Sequence, residues 1–290
     1  MKPALSFLLP LLTIHAVYAE GAETYCRYEF NHSAHYGQVE GKQIFELDKA
    51  PWDGGAKTGK TVALDQVRLL HPSEPQVILG MAGTYKESWV GKEPFKTVRW
   101  FYKPPRAAAS PNETIIMPVS VDELLVETEL VIVIGKPAKN ADLQEAKQAI
   151  FGYSVGNDIV GSGTSYHRIQ GEPLDQTETL LTYCLKMGDG FAPFGPFIVR
   201  GVDWKNRERT LRVYNPKTGS EETYRHNTSN MIYPPEKIVS DISRVLTLSP
   251  GDIIYSGTTK ALSAKAGDMV EVSVEGLGTL VNPIAAAGKP

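Results

Sequence analysis

The chain contains 290 residues, of which 42% are hydrophobic and 22% are charged, so it is neither a disordered chain nor a collagen-like one. Its formal net charge of −3 provides no basic field that would attract nucleic acid or an anionic membrane. The 26 glycines and 20 prolines predict many turns, which favours a β-rich fold over a helical bundle.

Residues 1–19 have the features of a Sec-type signal peptide. Lys2 gives a positive start, the stretch from Leu5 to Ala16 is largely apolar, and Val17-Tyr18-Ala19 offers a cleavage site before Glu20. The apolar run is too short for a clear membrane span. We therefore expect a secreted or periplasmic protein that begins at Glu20 after cleavage, with an uncleaved N-terminal anchor as the alternative.

Short strands and turns are predicted from Tyr25 to Leu70, where alternating hydrophobic residues lie between clusters of turn-forming residues. The segment from His71 to Pro75 is the best candidate for a domain boundary. We therefore expect a small β-rich N-terminal domain over residues 20–75 and a larger domain over residues 76–290.

Residues 54–61, from Gly54 to Thr61, match the phosphate-binding P-loop pattern letter for letter. A P-loop needs a buried strand that runs directly into its first glycine, so that backbone N–H groups converge on phosphate. Here the preceding stretch from Asp48 to Asp53 contains a proline and a tryptophan. A glycine-rich surface loop explains the match, and we expect no nucleotide ligand.

The second half of the chain is predicted to contain both strands and helices. Val126 to Ile134 is the strongest predicted strand. Asn140 is expected to cap a helix over Asp142 to Ile150, and Pro234-Pro235-Glu236 to open another helix. The alternating valines from Val270 to Val274 predict a terminal strand.

Glu127 and Glu129 form the strongest functional signal. Residues two apart in a strand point to the same face, so both carboxylates would project together at the head of a buried strand. A hard divalent cation with oxygen ligands would relieve their repulsion and lost solvation. Asp158 follows a Gly-Asn pair, where a chain reversal could add a third carboxylate. The alternative is an exposed strand end whose glutamates are simply solvated.

Lys186 and Thr258 are two further candidates. Lys186 lies in a run rich in glycine and proline, and a lysine fixed in such a loop can bind an enolate or a carboxylate. Its alternative is an ordinary surface lysine. Thr258 follows a short predicted strand, and with Gly257 and Thr259 it could offer backbone and hydroxyl donors to an anion.

The histidines and cysteines carry weaker signals. The histidines have no spacing typical of a zinc site, so surface or capping roles are expected for them. They include His32, His35, His71, His167 and His226. Cys26 and Cys184 could pair in an oxidising compartment, but the sequence does not supply the geometry, and two free or buried thiols are expected.

Six sequence blocks resemble, in order, the fumarylacetoacetate hydrolase family. They are Glu127 to Lys136, Gly152 to Asp158, Lys186 to Pro196, Asn227 to Ile232, Ser249 to Thr258, and Val274 to Leu280. The resemblance covers the chain from about Gln76 onward, and Arg27, Gly37 and Val67 to Leu70 resemble the small N-terminal domain of bacterial members.

This resemblance implies a mostly β, α+β fold: a mixed β-sheet roll that usually forms a homodimer and binds Mg²⁺ or Mn²⁺. Family members cleave or rearrange carbon–carbon bonds in 2-oxo or 1,3-diketo acids, and residues 76–290 would form the catalytic domain. By position, Glu127, Glu129 and Asp158 match the family's metal ligands. Lys186 matches its site lysine, and Thr258 matches the residue that holds a substrate carboxylate.

The chain departs from the hydrolytic members of the family, which carry a His and a Glu three residues apart that activate water. Ser88 and Gly91 stand at these two places here, and Thr259 replaces a proline. Metal binding is therefore expected without the standard base, and Glu87 or His167 could supply another one.

These observations predict an exported metal-dependent enzyme that acts on a small carboxylate substrate of the 2-oxo acid class. Decarboxylation, hydration or tautomerisation needs less from the missing pair than hydrolysis does, because the metal and Lys186 can stabilise an enolate. The alternative is a non-catalytic binding protein that has the metal pocket. The missing His-Glu pair favours this alternative, whereas Lys186 beside the metal ligands argues against it.

Overall fold

The computed structural model describes residues 21–119, 121–162 and 185–288. The predicted signal peptide over residues 1–19 lies outside this part of the chain, as do Cys184 and His167. Cleavage, export, the pairing of the cysteines and a catalytic role for His167 therefore stay predictions. Cys26 itself is a buried free thiol.

The described residues form 21 strands and two α-helices, which confirms the mostly β fold. The helices are α1 (Leu143–Ala149) and α2 (Pro235–Ser243). In chain order the strands are β1 (Glu23–Phe30), β2 (Ser33–Glu40), β3 (Gln43–Leu47), β4 (Lys57–Ala63), β5 (Arg68–Leu70), β6 (Ile78–Ala82), β7 (Arg99–Lys103), β8 (Ala108–Ala109), β9 (Ile115–Met117), β10 (Glu123–Val126), β11 (Thr128–Ile134), β12 (Ile150–Asn157), β13 (Val160–Ser162), β14 (Ala192–Pro193), β15 (Ile198–Arg200), β16 (Glu208–Tyr214), β17 (Glu221–Asn227), β18 (Ile253–Tyr255), β19 (Leu262–Ala264), β20 (Met269–Val274) and β21 (Gly278–Ala286).

One long sheet connects the N-terminal strands to the rest of the molecule. Its strand order is β4-β3-β2-β1-β15-β12-β11-β18-β6-β7, and β5 pairs with β1. The antiparallel pairing of β1 with β15 joins the two parts, with Tyr25 opposite Ile198. The strands from residues 23–70 therefore extend the same sheet that carries β11.

The P-loop-like stretch has a conformation different from a P-loop. Gly54 and Gly55 form a turn, and the residues from Lys57 onward form β4, which lies at the edge of the long sheet and is largely exposed. A P-loop instead wraps a phosphate between a buried strand and a helix. The glycine-rich surface loop that the sequence predicts is thus a turn that leads into an edge strand.

β11 lies at the centre of the long sheet, between β12 and β18, and all its residues are buried. Its sequence is apolar on both faces because both faces are covered. The predicted strand from Val126 to Ile134 is wrong in one respect, since Glu127 interrupts it. β10 belongs to a separate small sheet with β13 and β19, so the chain changes sheets at Glu127.

A second sheet, in the order β17-β16-β20-β21-β9, covers one face of the long sheet. β16 and β20 pack across β11 and β12, where Val270, Val272 and Val274 are buried. β20 is not the terminal strand that the valines predict, because β21 follows it and pairs with it. This packing brings the ends of β11, β12 and β16 to one place.

The two helices pack against each other beside the sheets. The predicted N-cap at Asn140 is wrong: the side chain of Asp142 caps α1 by accepting hydrogen bonds from the backbone N–H groups of Gln144 and Glu145. Asp142 starts the helix two residues later because it also forms a capping box with Glu145. No helix in the described ranges is long and apolar enough to cross a membrane.

Candidate functional site

Three carboxylates meet where β11 and β12 end. Glu127 lies in the connection before β11, Glu129 is the second residue of that strand, and Asp158 directly follows β12. Each offers one oxygen atom, and these oxygens lie within 4.8 Å of one another. Glu129 and Asp158 are fully buried, whereas the Glu127 side chain is 18% exposed. We call these three residues the carboxylate cluster.

Strand pairing explains why the carboxylates meet. β11 and β12 are antiparallel, and Thr128 lies opposite Asn157. The Asp158 N–H donates to the Glu127 carbonyl over 3.2 Å, and the Glu127 N–H donates to Asn157 Oδ1 over 2.9 Å. The backbone of both strands therefore fixes the cluster, even though Glu127 itself lies outside β11.

Two lysines balance much of the negative charge. The fully buried Lys103 ammonium forms an ion pair with Asp158 and also donates to the carbonyls of Ile159 and Phe191, over 3.1 and 2.7 Å. Lys186 donates to the other Asp158 oxygen over 2.7 Å and lies 3.6 Å from Glu127. Lys103 thus has an acceptor for each of its three protons, and Lys186 connects two carboxylates.

The environment raises the pKa of two of the carboxylates and lowers the pKa of the third. Burial raises the pKa of Glu129 well above its usual value, and the charges of Asp158 and Glu127 raise it further. Burial also raises the pKa of Glu127. Burial opposes ionisation of Asp158 too, but the positive charges of Lys103 and Lys186 outweigh it and lower its pKa. Asp158 is therefore ionised, while Glu129 resists a further negative charge.

The same environment acts on Lys186. Burial by itself would lower its pKa, but the neighbouring Asp158 and Glu127 carboxylates outweigh burial and raise the pKa above its usual value. Lys186 is therefore a permanent cation at neutral pH. Its ammonium also lies 4.9 Å from the centre of the Phe101 ring.

The donor set of the carboxylate cluster fits a hard divalent cation. Mg²⁺ and Mn²⁺ prefer oxygen ligands, and all three residues supply carboxylate oxygens. Glu129 Oε1 is buried without a hydrogen-bond partner among the described residues, which leaves an acceptor directed at no protein donor. A cation at Glu129 would satisfy this oxygen and offset the cost of ionising the cluster.

Gly257 connects the carboxylate cluster to a second group of polar residues. Its N–H donates to Glu129 Oε2 over 2.5 Å, and its carbonyl accepts from Arg209 over 2.9 Å. Gly257 has a φ of +92°, and a Cβ here would lie 2.1 Å from Thr84 Oγ1. Only glycine fits this backbone, so the close approach to Glu129 depends on residue 257 lacking a side chain.

Arg209 is the centre of the second group. It is fully buried on β16, directly opposite His226 on β17, and donates to His226 Nδ1 over 2.9 Å. The Arg209 guanidinium lies 4.4 Å from the centre of the Tyr85 ring. His226 Nδ1 also lies 2.9 Å from the Thr259 hydroxyl. We call Arg209, His226, Tyr85 and Thr258 the donor cluster.

Six buried side-chain atoms have no hydrogen-bond partner in the described part of the chain. Five belong to residues of the two clusters, and the sixth belongs to Ser256, which directly precedes Gly257. They are Tyr85 Oη, Glu129 Oε1, Arg209 Nε, His226 Nε2, Ser256 Oγ and Thr258 Oγ1. Buried polar groups normally have partners, so such a concentration points to a ligand site rather than to a structural core.

The structure brings most of the predicted site residues together. Lys186 contacts the carboxylate cluster, and Thr258 follows the glycine that bonds to Glu129. Glu87 does not join that cluster. It is exposed on a 3-10 turn, Lys86–Trp89, and accepts from Asn230 over 2.6 Å.

Sequence reasoning missed Lys103 and Arg209. Both had a detectable signal, because each shares its strand face with buried hydrophobic residues. Arg209 alternates with Leu211 and Val213, and Lys103 lies two residues after Phe101. A charged residue at an inward position of a strand is expected to have a buried partner or ligand.

The expectation of surface or capping roles for the histidines is wrong for His226. Its side chain lies in the donor cluster, and its Nε2 is buried. Burial lowers the pKa of His226 to about 3, and the positive charge of Arg209 contributes to this shift. His226 is therefore neutral at physiological pH, and since Nδ1 accepts from Arg209, its proton is on Nε2.

The model of the fumarylacetoacetate hydrolase C-terminal family matches residues 79–285. A second family model, described as Rv2993c-like, N-terminal, matches residues 24–72. These matches together cover all but a few end residues of the strands in the long sheet and the second sheet. The carboxylate cluster, Lys186 and the donor cluster all lie within the first match.

Individual proteins show the same similarity. The chain is 31% identical to protein Rv2993c of Mycobacterium tuberculosis over 250 residues, which cover 84% of this chain and 89% of that protein. It is 31% identical to a homoprotocatechuate catabolism bifunctional isomerase/decarboxylase of Escherichia coli over 219 residues, 74% of this chain and 48% of that protein. The crystal structure of a 2-hydroxyhepta-2,4-diene-1,7-dioate isomerase from Mycobacterium marinum superposes with a TM-score of 0.78 and 30% identity, covering 92% of this chain and 100% of that one.

Proposed function

This chain belongs to the fumarylacetoacetate hydrolase family, and from that membership we propose that it is a divalent-metal-dependent enzyme acting on a carbon–carbon bond of a 2-oxo or 1,3-diketo acid. Similar proteins are named as isomerases and decarboxylases. The observation that carries the proposal is a permanent cation, Lys186, in direct contact with a cluster of three carboxylates.

Glu127, Glu129 and Asp158 would hold the cation, Mg²⁺ or Mn²⁺, through one oxygen each. A bound divalent ion supplies Lewis-acid polarisation of the oxo and carboxylate oxygens of a 2-oxo acid. Lys103 keeps Asp158 ionised and in place, because its other two protons are fixed by backbone carbonyls. Gly257 orients Glu129 through the hydrogen bond to Oε2, which leaves Oε1 free to bind.

Lys186 would stabilise the negative charge that develops on the substrate oxygen. Its side chain is 12% exposed, so it can reach a molecule in the site while it stays paired with Asp158. A preorganised cation in a site with little water is worth far more than the same cation in bulk solvent. Enolate-forming chemistry, such as decarboxylation or tautomerisation, uses this stabilisation directly.

We propose decarboxylation or isomerisation rather than hydrolysis. Hydrolysis of a diketo acid requires a base that activates water, and Ser88 and Gly91 stand where hydrolytic members carry that base and its partner. Glu87 is exposed and held by Asn230, away from the carboxylate cluster. Within the described ranges, no further carboxylate joins Glu127, Glu129 and Asp158.

The test is an assay of two substrate types, oxaloacetate and an acylpyruvate, with saturating Mg²⁺. We expect oxaloacetate decarboxylation to be the faster activity, and Lys186→Met to lower its kcat by roughly 100-fold or more, as the loss of an oxyanion-stabilising donor does. Lys186→Arg should retain part of the rate because the positive charge remains. Mg²⁺ binding, measured by calorimetry, should survive in both variants.

Two outcomes would contradict this proposal. Fast acylpyruvate hydrolysis would mean that another base, with Glu87 as the first candidate, replaces the missing pair. No turnover of either substrate by metal-loaded protein would favour a non-catalytic binding protein. Assembly as a homodimer, export after removal of residues 1–19, and a division into domains at residues 75 and 76 belong to the same proposal and are supported by the sequence and the resemblance alone.

A further inference from the structure

Thr84 is a fully buried polar residue just after β6 that the proposed chemistry does not use. Its hydroxyl donates to the Ser256 carbonyl over 2.5 Å. Its own backbone carbonyl accepts from the Ile232 N–H over 2.9 Å. Thr84 therefore connects the end of β6 to two segments that are distant in the sequence, and one of them leads directly into Gly257.

The Ser256 carbonyl and the Gly257 N–H are the two ends of a single peptide group. A peptide group is planar, so the direction of its C=O bond fixes the direction of its N–H bond. The Thr84 hydroxyl binds the carbonyl end, and Glu129 Oε2 accepts from the N–H end over 2.5 Å. A continuous chain of two hydrogen bonds therefore runs from Thr84 through this peptide group to Glu129.

Hydrogen bonds in such a chain strengthen one another. A donor at the carbonyl oxygen polarises the peptide group and makes its N–H a better donor. The acceptor here is a carboxylate, and hydrogen bonds to an ionised carboxylate are stronger than those between neutral groups. Thr84 thus helps to fix Oε2 of Glu129, while Oε1 has no partner among the described residues and stays available to a cation.

The packing around the peptide group holds it in this orientation. A Cβ at residue 257 would overlap Thr84 Oγ1, so the hydroxyl fills the space that the missing side chain of Gly257 leaves. The Ser256 N–H donates to the Leu130 carbonyl of β11 over 3.0 Å. Both peptide groups of Ser256 are therefore held, one by β11 and the other by Thr84 and Glu129.

We propose that Thr84 is a positioning residue of the metal site, which orients Glu129 through the Ser256–Gly257 peptide group and thereby raises the affinity for a divalent cation. This inference rests on the proposed function, because the cation at the carboxylate cluster is part of that proposal. Thr84 acts on Glu129 only through the peptide group and contacts neither the cation nor the substrate.

The first test compares Mg²⁺ affinity in two variants by calorimetry on the full-length protein. Thr84→Val keeps the shape of the side chain but removes the donor, whereas Thr84→Ser keeps the donor. We expect Thr84→Val to bind Mg²⁺ about 3–10-fold more weakly than the wild type, the worth of one neutral hydrogen bond. Thr84→Ser should bind close to the wild type, and Thr84→Ala replaces the Val variant if that one fails to fold.

The matched control is Thr228→Val. Thr228 is also fully buried, and its hydroxyl donates to a backbone carbonyl, that of Trp204, over 2.8 Å. This substitution removes the same kind of hydrogen bond at a place that has no contact with Glu129. We expect Thr228→Val to lose stability as Thr84→Val does, but to bind Mg²⁺ with the affinity of the wild type.

The second test observes the peptide group itself by NMR. The sequence contains two Ser-Gly pairs, Ser162-Gly163 and Ser256-Gly257. Cell-free synthesis with ¹³C-carbonyl serine and ¹⁵N-glycine gives one carbonyl–amide signal for each pair, and Ser162→Ala removes the first. In metal-free protein we expect the Gly257 amide proton to move upfield in Thr84→Val, as a weakened hydrogen bond does, and to stay in place in Thr84→Ser and Thr228→Val. Mg²⁺ should shift this signal in the wild type.

Three results would overturn the inference. They are equal Mg²⁺ affinity in Thr84→Val and the wild type, equal weakening in Thr84→Ser and Thr84→Val, and a Gly257 amide signal that Thr84→Val leaves unchanged. Equal weakening in Thr228→Val would also overturn it, because any loss of stability would then lower the affinity. Since no turnover is measured, a protein that binds Mg²⁺ as expected but converts no substrate retains the inference and contradicts the enzymatic function. A wild type that does not bind Mg²⁺ contradicts both.

Discussion

The two clusters on either side of Gly257 differ in the sign of their charge, in how many of their polar atoms have hydrogen-bond partners, and in the strands that supply their residues. The carboxylate cluster offers acceptors, and its excess charge is held by Lys103 and Lys186. The donor cluster offers N–H and O–H groups. Four of its buried atoms have no hydrogen-bond partner in the described residues: Tyr85 Oη, Arg209 Nε, His226 Nε2 and Thr258 Oγ1. The acceptors of the first would suit a cation and the donors of the second would suit an anion, and the backbone of Gly257 bonds to both clusters.

This difference shows how the backbone of one glycine can contact two side chains of opposite charge. The N–H of Gly257 faces Glu129 and its C=O faces Arg209, so the two peptide groups that flank this residue each stabilise a side chain of the complementary charge. A residue larger than glycine would push against Thr84 and disturb both contacts. Single substitutions can disrupt either cluster without removing the other.

The largest effect is expected from Lys103→Met, which removes the cation that the carboxylate cluster needs in the absence of metal. Breaking a fully buried ion pair on one side typically costs 3–5 kcal/mol, and we expect a loss near the lower end, about 3 kcal/mol, because Lys186 still pairs with Asp158. Thermal denaturation of the metal-free protein should show a midpoint roughly 6–12 °C lower.

Two controls make this result specific. The double variant Lys103→Met, Asp158→Asn should recover part of the stability, since no buried charge is then left alone. Lys139→Met removes an exposed lysine and should change stability by no more than about 0.5 kcal/mol. A Lys103→Met protein as stable as the wild type would mean that Asp158 is adequately neutralised by Lys186 alone.

The contrast between the clusters also explains what the sequence could predict. Glu127 and Glu129 lie two positions apart in one segment, so their proximity follows from local geometry. Asp158 follows from the pairing of β11 with β12, which are neighbours in the chain. The mostly β fold, the central strand and the site lysine were likewise accessible from composition, periodicity and family resemblance.

The donor cluster could not be predicted from the sequence in this way. Arg209 and His226 meet because β16 and β17 pair, and both approach Gly257 only because the second sheet packs across β11. A one-residue error in the start of β16 would place Arg209 on the solvent face, where arginines in strands usually lie. Such contacts depend on the packing of two sheets, which no local pattern specifies.

The second prediction concerns metal binding and its dependence on pH. Glu129→Gln has nearly the volume of the protonated glutamate but cannot provide an anionic ligand, so Mg²⁺ affinity should fall roughly 100-fold, about 2.7 kcal/mol, while the fold survives. Burial raises the pKa values of Glu129 and Glu127, so these groups keep their protons to a higher pH than ordinary carboxyl groups. Metal binding must release those protons, and affinity should therefore rise with pH.

The stability of the metal-free protein should change with pH in the opposite sense to metal affinity, and it should fall as pH rises. A carboxyl whose pKa is raised on folding stabilises the fold while it is protonated, and this contribution is lost as pH rises through the raised value. Calorimetry in buffers of different ionisation enthalpy counts the released protons, and Glu129→Gln should release fewer than the wild type. Equal proton release by both proteins would show that Glu129 is not a ligand of the metal.

The smallest effect is expected from Tyr85→Phe, which removes one donor of the donor cluster and leaves the ring over Arg209 in place. Burial raises the pKa of Tyr85 to about 12, so the hydroxyl is a protonated donor at neutral pH. Because this hydroxyl lacks a partner in the described residues, its removal should stabilise the ligand-free protein by about 1 kcal/mol. Affinity for a carboxylate substrate should instead fall by roughly 3–10-fold, the worth of one neutral hydrogen bond.

A gain in stability together with a loss of ligand affinity is the informative result, since replacing an ordinary structural tyrosine would lower both. Denaturant unfolding and ligand calorimetry on the same preparation measure both quantities. Tyr28→Phe provides the comparison for a buried tyrosine outside the site. If Tyr85→Phe is less stable than the wild type, the hydroxyl already has a partner within the fold, and the donor cluster is then a structural network around Arg209 rather than a place kept for an anion.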